Sequence, residues 1–411
     1  MKQQTALEIL KSGSNVFLTG EPGAGKTYTI EQFAKHLNEQ KIRYALTAST
    51  GIAATHINGS TIHSWSGLGI RRKLSKEELD DMRYNVKVSQ RVRGTSVLII
   101  DEVSMLDAQT LDNVDAIIRS IFSRPDLPCL KPFGGMQVVF VGDFFQLPPV
   151  SKEGETRFAF QSRAWEETAP RICYLSEQHR QSDAKFLEIL SGMRAGTTTE
   201  EHKQIITNNK ATIKIDTKLF THNQDVDMLN LQELQKLEGD VVQYDMSEGG
   251  DPYLSEGLKK RCLSPENLFL KVGAVVMATA NNFNEGYVNG SIGEVIKIKP
   301  VPVVKFKNGR TCEIDPYEWS VFADDNKKVL AWVRQYPLRL AWAITVHKSQ
   351  GMSLDSASID LSHTFEYGQG YVAISRVRTL EGLHIEGIND MAFKMHPLVI
   401  EKDIEFRNEG Q

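Results

Sequence analysis

The sequence predicts an α/β chain with more than one core, and three observations carry that reading. At about 150 residues per domain, 411 residues make roughly three domains. Short apolar runs at Val16-Phe17-Leu18, Tyr44-Ala45-Leu46, Val97-Leu98-Ile99-Ile100 and Val138-Val139-Phe140-Val141 alternate with helical stretches such as Asp107 to Phe122. That spacing belongs to a parallel sheet with crossover helices. Between Leu268 and Val333 the pattern changes to β-type runs punctuated by Gly, Asn and Pro, as a small all-β module would require.

The elements follow in order. Thr5 to Lys11 sets Ala6, Leu7, Ile9 and Leu10 on one helical face, ahead of the strand at Val16. After the four runs above, a second alternation follows: Ile172 to Leu175, a helix from about Ser182 to Met193, Leu219-Phe220-Thr221, and a helix across Asp225 to Leu237. The β-type runs are Ala274 to Met277, Ile292 to Ile298, Val301 to Phe306 and Thr311 to Ile314. We therefore expect a first α/β domain over 1–175, with an insertion at 66–93. A second is expected over 176–240 and 334–411, interrupted by a β-containing region at 241–333. No internal repeat or low-complexity stretch is visible.

Composition excludes several classes. With 41% hydrophobic and 24% charged residues the chain can build an ordinary core. No apolar run reaches the ~20 residues of a membrane helix, and Met1-Lys2-Gln3-Gln4 leads into an amphipathic segment, so no membrane partner and an intracellular, cytoplasmic setting are expected. Cys129, Cys173, Cys262 and Cys312 lie far apart, which argues against a zinc site or a disulfide framework. The net charge of −4 means that a nucleic-acid partner would need a local basic groove.

The strongest chemical signal is Gly20-Glu21-Pro22-Gly23-Ala24-Gly25-Lys26-Thr27, a complete G-x-x-x-x-G-K-T loop after a strand and before a helix. Its backbone N–H groups, with Gly23, Ala24, Gly25 and Tyr28 around the phosphates, can converge on ATP. Lys26 reaches the β/γ-phosphates, and the Thr27 hydroxyl can bind Mg²⁺. Asp101 and Glu102 follow the third apolar run. Asp101 is the second candidate Mg²⁺ ligand, and Glu102 the group that polarises the attacking water; an activated water implies hydrolysis rather than phosphoryl transfer to a second substrate. Gln146, in Gly142-Asp143-Phe144-Phe145-Gln146, lies where a γ-phosphate sensor would. Charge developing on the transferred group calls for an arginine from outside this domain, and Arg180 and Arg376 are the candidates.

With those residues in place, the chain resembles the superfamily-one DNA helicases, specifically their Pif-type (petite integration frequency) branch, from about Gln3 to Ile385. Gln3, or failing that Gln4, is similar to the adenine-recognising glutamine. Leu46 to Ala54 with Gly59 to Ser64 resembles a DNA-contacting motif, and Lys131-Pro132-Phe133-Gly134-Gly135-Met136-Gln137 running into Gly142 to Pro149 is close to the segment that marks the branch. Leu340 to Gly351 and Tyr371 to Arg376 continue the series. The resemblance implies two RecA-like domains with ATP in the cleft between them, a Src-homology-three-like barrel inserted in the second, and five-prime to three-prime travel. It implies single-stranded DNA and forked or tailed duplex as partners, a monomer, and Mg²⁺ with ATP. It also assigns Gly351 to ATP, and Thr50, Gly51, His63, Thr345, His347 and Lys348 to the DNA backbone. Two other readings stay open: an ATPase that remodels protein–nucleic acid complexes without separating strands, and an ATP-gated clamp.

The insertion at 66–93 carries Arg71, Arg72, Lys73, Lys76, Arg83, Lys87, Arg91 and Arg93 against Glu77, Glu78, Asp80 and Asp81. That local excess suggests a wedge beside the duplex; the plainer alternative is a solvated helical excursion.

Overall fold

A computed structural model describes residues 1–410 except 58, 70, 125, 150–156, 178–182, 214, 216, 283, 284, 288, 323–328 and 351. The chain divides into two compact units. The first is Met1–Thr198 with Glu366–Tyr371 and Phe393–Gln411; the second is Thr199–Phe365 with Val372–Ala392.

The first unit is built on six parallel strands: β1 (Val16–Gly20), β2 (Tyr44–Ala48), β3 (Ser60–Thr61), β4 (Val97–Asp101), β5 (Gln137–Val141) and β6 (Arg171–Leu175), in the order β3-β2-β4-β5-β1-β6. Strand side chains alternate between faces, and the sequence uses both. Val16, Leu18, Val139 and Val141 pack with Ala6, Leu10, Phe33 and Leu37 from helices α1 (Gln3–Lys11) and α2 (Lys26–Glu39). Phe17 and Phe140 point the other way, into a cluster with Phe144, Trp165 and Phe406, where ring centroids lie 4.5–6.2 Å apart.

Phe406 comes from the helix Pro397–Glu409, which packs against β6. The sequence reading put 334–411 in the second domain and ended the first at 175. In the structure this terminal helix and the segment through Thr198 belong to the first unit. An amphipathic pattern shows that a helix covers a sheet but not which one, and here the aromatic face of the first sheet selects it.

The insertion forms two helices. α5 (Lys76–Tyr84) opens on a reciprocal cap between Ser75 and Glu78, α6 (Val86–Arg93) on Asn85, after the short α3 (Gly51–His56) and α4 (Ile62–Ser66). Both pack on α7 (Ala108–Phe122). Three of the eight basic side chains tie the insertion to its neighbours, Arg83 donating to Ser123 O at 3.0 Å, Arg91 to Trp65 O at 2.8 Å and Arg93 to Ile121 O, while Arg71 makes a surface ion pair with Glu78 at 3.4 Å. Arg72, Lys73, Lys76 and Lys87 are the exposed remainder.

The second unit has a parallel sheet ordered Ala343–Thr345, Lys218–Phe220, Ala357–Leu361, Leu383–Ile388. Its β-rich part, expected over 268–333, is wider. The antiparallel order Thr311–Glu313, Val303–Phe306, Ile292–Lys297, Val275–Ala278, Leu338–Leu340 closes on a core of Leu268, Val276, Val295, Val304 and Phe306. A separate three-stranded sheet joins Ser247–Gly250 to Val329–Gln335 and Tyr317–Phe322, beneath the helix Pro252–Arg261. No helix among the described residues is long and apolar enough to cross a membrane.

Candidate nucleotide and DNA site

β1 ends in the glycine-rich loop, and α2 starts at Lys26 directly after Gly25, whose φ of +86° suits glycine. A Cβ at Gly25 would fall 2.0 Å from Gln3 Nε2, so the loop is bare where Gln3 lies on it. Gln3 Nε2 donates to Ala24 O at 3.2 Å and its backbone N–H to Glu177 Oε2 at 2.9 Å, while the Gln4 amide is turned to Glu8 on the surface. Of the two glutamines, Gln3 is the one against the phosphate loop. Lys26 Nζ donates to Gly20 O at 2.7 Å and Glu21 O at 3.1 Å; Thr27 and Tyr28 are exposed on the first turn of α2, and Gly23 is half-buried.

Asp101 and Glu102 end β4, two strands from β1. Burial pushes the Asp101 carboxyl up to about 6, against the hydrogen bond from Glu102 N (2.8 Å at Oδ1) and the charge of Lys26. A carboxylate that dense protein disfavours is well served by a cation. Thr27 Oγ1 and an Asp101 oxygen are hard donors of the kind Mg²⁺ takes, with phosphate oxygens and water completing the shell. Among the described residues no group of three His, Cys, Asp or Glu could hold a metal ion.

Glu102 adopts φ +50°, ψ +44°, a left-handed conformation that a glutamate seldom occupies. Ser49 holds it there: Ser49 Oγ donates to Glu102 O at 2.8 Å and Ser49 N to Asp101 O at 3.2 Å. The next two residues are Thr50 and Gly51, where α3 begins. The sequence does not single out Ser49, because the bond joins positions 53 residues apart.

Beyond β5, Asp143 Oδ1 accepts Phe145 N at 3.2 Å and Asp143 O accepts Gln146 N at 2.9 Å, so a tight turn presents Gln146, which is itself buried. His63, on α4, is half-buried with its pKa lowered by burial, a trend Asp107 opposes.

In the second unit, Thr345 is 2% exposed and its Oγ1 accepts Lys348 N at 3.3 Å. That bond fixes the turn that carries His347 and Lys348, both half-buried. Burial lowers the pKa of both; for Lys348 the neighbouring Arg339 charge lowers it further and Asp227 opposes. Sequence reasoning passed over Arg339, although an arginine inside Pro337-Leu338-Arg339-Leu340-Ala341 interrupts an otherwise apolar run.

Arg376 is 1% exposed rather than on the surface; it donates to Val372 O at 2.9 Å and Ser375 Oγ at 3.0 Å. Arg180 and Gly351 lie outside the described residues.

Comparison with known proteins identifies the family. The PIF1-like helicase family model matches residues 2–204. The ATP-dependent DNA helicase Pif1 of Psychrobacter sp. (strain PRwf-1) is 41% identical, covering 99% of this chain and 71% of that one; PIF1 of Xenopus laevis is 38% identical, covering 97% and 63%. Against this and other vertebrate relatives the chain thus spans about three fifths of the length. The crystal structure of Bacteroides sp Pif1 in complex with ADP-AlF4 superposes with a TM-score of 0.85 at 31% identity, covering 99% of this chain and 97% of that one. Bacteroides Pif1 bound to single-stranded DNA gives 0.66 at 30% identity, with 99% and 97% covered.

Proposed function

The chain belongs to the PIF1-like helicase family and is an ATP-hydrolysing DNA helicase, and from that premise we propose that it travels five-prime to three-prime on single-stranded DNA and opens forked or tailed duplex. The coupling of hydrolysis to DNA in this reading is carried by one joint between the two chemistries. Ser49 ties Asp101 and Glu102, the hydrolysis pair, to the segment starting at Thr50 and Gly51, the DNA pair. A change in nucleotide state at the carboxylates therefore reaches the DNA-contacting segment through two hydrogen bonds.

In this reading Lys26 and the loop N–H groups hold the β/γ-phosphates, and Gln3 faces the adenine. Thr27 and Asp101 hold Mg²⁺, which supplies charge neutralisation at the phosphates when bound. Glu102 takes the proton of the attacking water, Gln146 senses the γ-phosphate, and Arg376 and Arg180 meet the developing charge. Thr50, Gly51, His63, His347 and Lys348 grip phosphates without reading bases, as hydroxyl, imidazole and ammonium groups do. The direction of travel and the barrel in the second unit rest on the family resemblance. The relatives' reported complexes, with single-stranded DNA and with two coordinating helicases on forked DNA, support the DNA partners and leave a working monomer to be measured.

Steady-state ATP hydrolysis, with and without an oligothymidylate, tests the core of the reading. Turnover that rises at least about tenfold with DNA and vanishes in Lys26→Ala is expected; unstimulated turnover would refute it.

A further inference from the structure

The helix Ala184–Ala195 buries Phe186, Ile189, Leu190 and Met193, and on the same face it buries a charge: Arg194 is 1% exposed. Arg194 Nη1 donates to Asp143 Oδ2 at 2.7 Å and reaches the Tyr371 hydroxyl at 3.4 Å, and Nη2 donates to the Tyr174 hydroxyl at 2.9 Å. Its guanidinium also lies 4.3 Å from the centre of the Phe145 ring. The Tyr174 hydroxyl donates to Asp403 Oδ1 at 3.0 Å, and Arg407 Nε donates to Asp403 Oδ2 at 2.7 Å. Burial drives both tyrosine pKa values far up, so both phenols stay protonated. The pair of Arg194 with Asp143 is thus buried, and Asp403 is matched by Arg407, which is half exposed.

Buried ion pairs of this kind are a poor source of stability, since apolar packing does as well at lower desolvation cost. The position of this one suggests a different use. The second oxygen of Asp143 holds the turn that presents Gln146. Gly368, at φ +76°, lies so close that a Cβ would come 2.4 Å from Phe145 O and 2.8 Å from Gln146 O. One helical turn before Arg194, Ser191 Oγ donates to Glu21 Oε1 of the phosphate loop at 3.3 Å. Tyr371 stands five residues ahead of Arg376. One helix therefore grips the phosphate loop at Ser191 and the sensor turn at Arg194.

We propose that Arg194 is a positioning residue: through Asp143 and Tyr371 it fixes the Gln146 turn against the phosphate loop, so that DNA binding is converted into faster ATP hydrolysis. This rests on the reading above that turnover is DNA-stimulated.

The test uses the full chain, ATP and oligothymidylate, with kcat and KM measured in the presence and absence of DNA. A lysine at 194 keeps the charge but cannot serve Asp143, Tyr371 and Tyr174 together. Arg194→Lys should cut the DNA stimulation of kcat at least about tenfold while KM for ATP stays within about twofold. Tyr371→Phe, which removes one oxygen and no charge, should cut it about threefold. Where Arg194→Lys fails to fold, Tyr371→Phe decides. Wild-type stimulation in the folded variants, whatever their melting temperature, would show a merely structural network and overturn the proposal. A wild-type protein without DNA stimulation would instead remove the functional reading on which it stands.

Discussion

Glu102 sits in a left-handed conformation that Ser49 holds, and its carboxyl is the only proposed base for the attacking water. Glu102→Gln should keep ATP binding and lose turnover by about 10²–10⁴-fold, because an amide cannot accept the proton; a fluorescent ATP analogue and a phosphate-release assay separate the two effects. Asp101 carries the opposite signature. Its folded pKa of about 6 exceeds the ordinary 3.8, so near neutral pH the buried charge works against folding, and that penalty is relieved as pH falls from about 6 towards 4. Asp101→Asn should therefore melt higher than the parent near neutral pH, by on the order of 1 kcal/mol, while losing Mg²⁺-dependent turnover. A lower melting temperature would contradict the account of its burial. The placement of Lys26 at the start of α2 and of Asp101 and Glu102 at the end of β4 was legible because the phosphate loop and an acid pair after an apolar run are local patterns. The contacts of Ser49 and Arg194 were not, since each acts on residues far away in sequence.

Among the elements, the pair α5 and α6 is the one whose expected role changes most. Read from charge, 66–93 is a basic wedge; in the structure Arg83, Arg91 and Arg93 cap carbonyl groups of neighbouring segments, so part of the excess serves packing. Replacing the whole segment by a flexible linker would strip α7 and destabilise the unit. Charge reversal confined to Lys73, Lys76 and Lys87 is the cleaner experiment. If the exposed face meets duplex, the triple Glu variant should unwind forks several-fold more slowly while its ATPase on single strands stays near the parent value; equal unwinding would leave these helices as a solvated excursion. The strands that the sequence does name lie within one or two residues of those formed, because β-branched and aromatic runs are bounded by turns, whereas Tyr317–Phe322, Val329–Gln335, Ala357–Leu361 and Leu383–Ile388 were not named. The helix Pro397–Glu409 was assigned to the wrong unit because periodicity does not name a partner sheet.

On the scale of the whole molecule, a chain of net charge −4 is proposed to bind a polyanion, so its DNA affinity must come from local contacts to phosphates. Affinity for single strands should fall steeply between 50 and 200 mM salt, by about a factor of ten or more for even a few contacts, and depend little on sequence. The division into two α/β units with a β-rich part in the second was legible, since each unit repeats the strand-and-helix alternation. The width of the β-rich part was not, because Ser247–Gly250 and Leu338–Leu340 are too short to announce themselves as strands. The central claim is that ATP hydrolysis by this chain drives strand separation with a fixed polarity. The most direct measurement is unwinding of two labelled partial duplexes, identical except that one carries a five-prime single-stranded tail and the other a three-prime tail, with ATP and Mg²⁺. The account predicts that the five-prime-tailed substrate is opened and the three-prime-tailed one is not, and that Glu102→Gln opens neither. Equal opening of both, or DNA-stimulated hydrolysis with no opening of either, would contradict it.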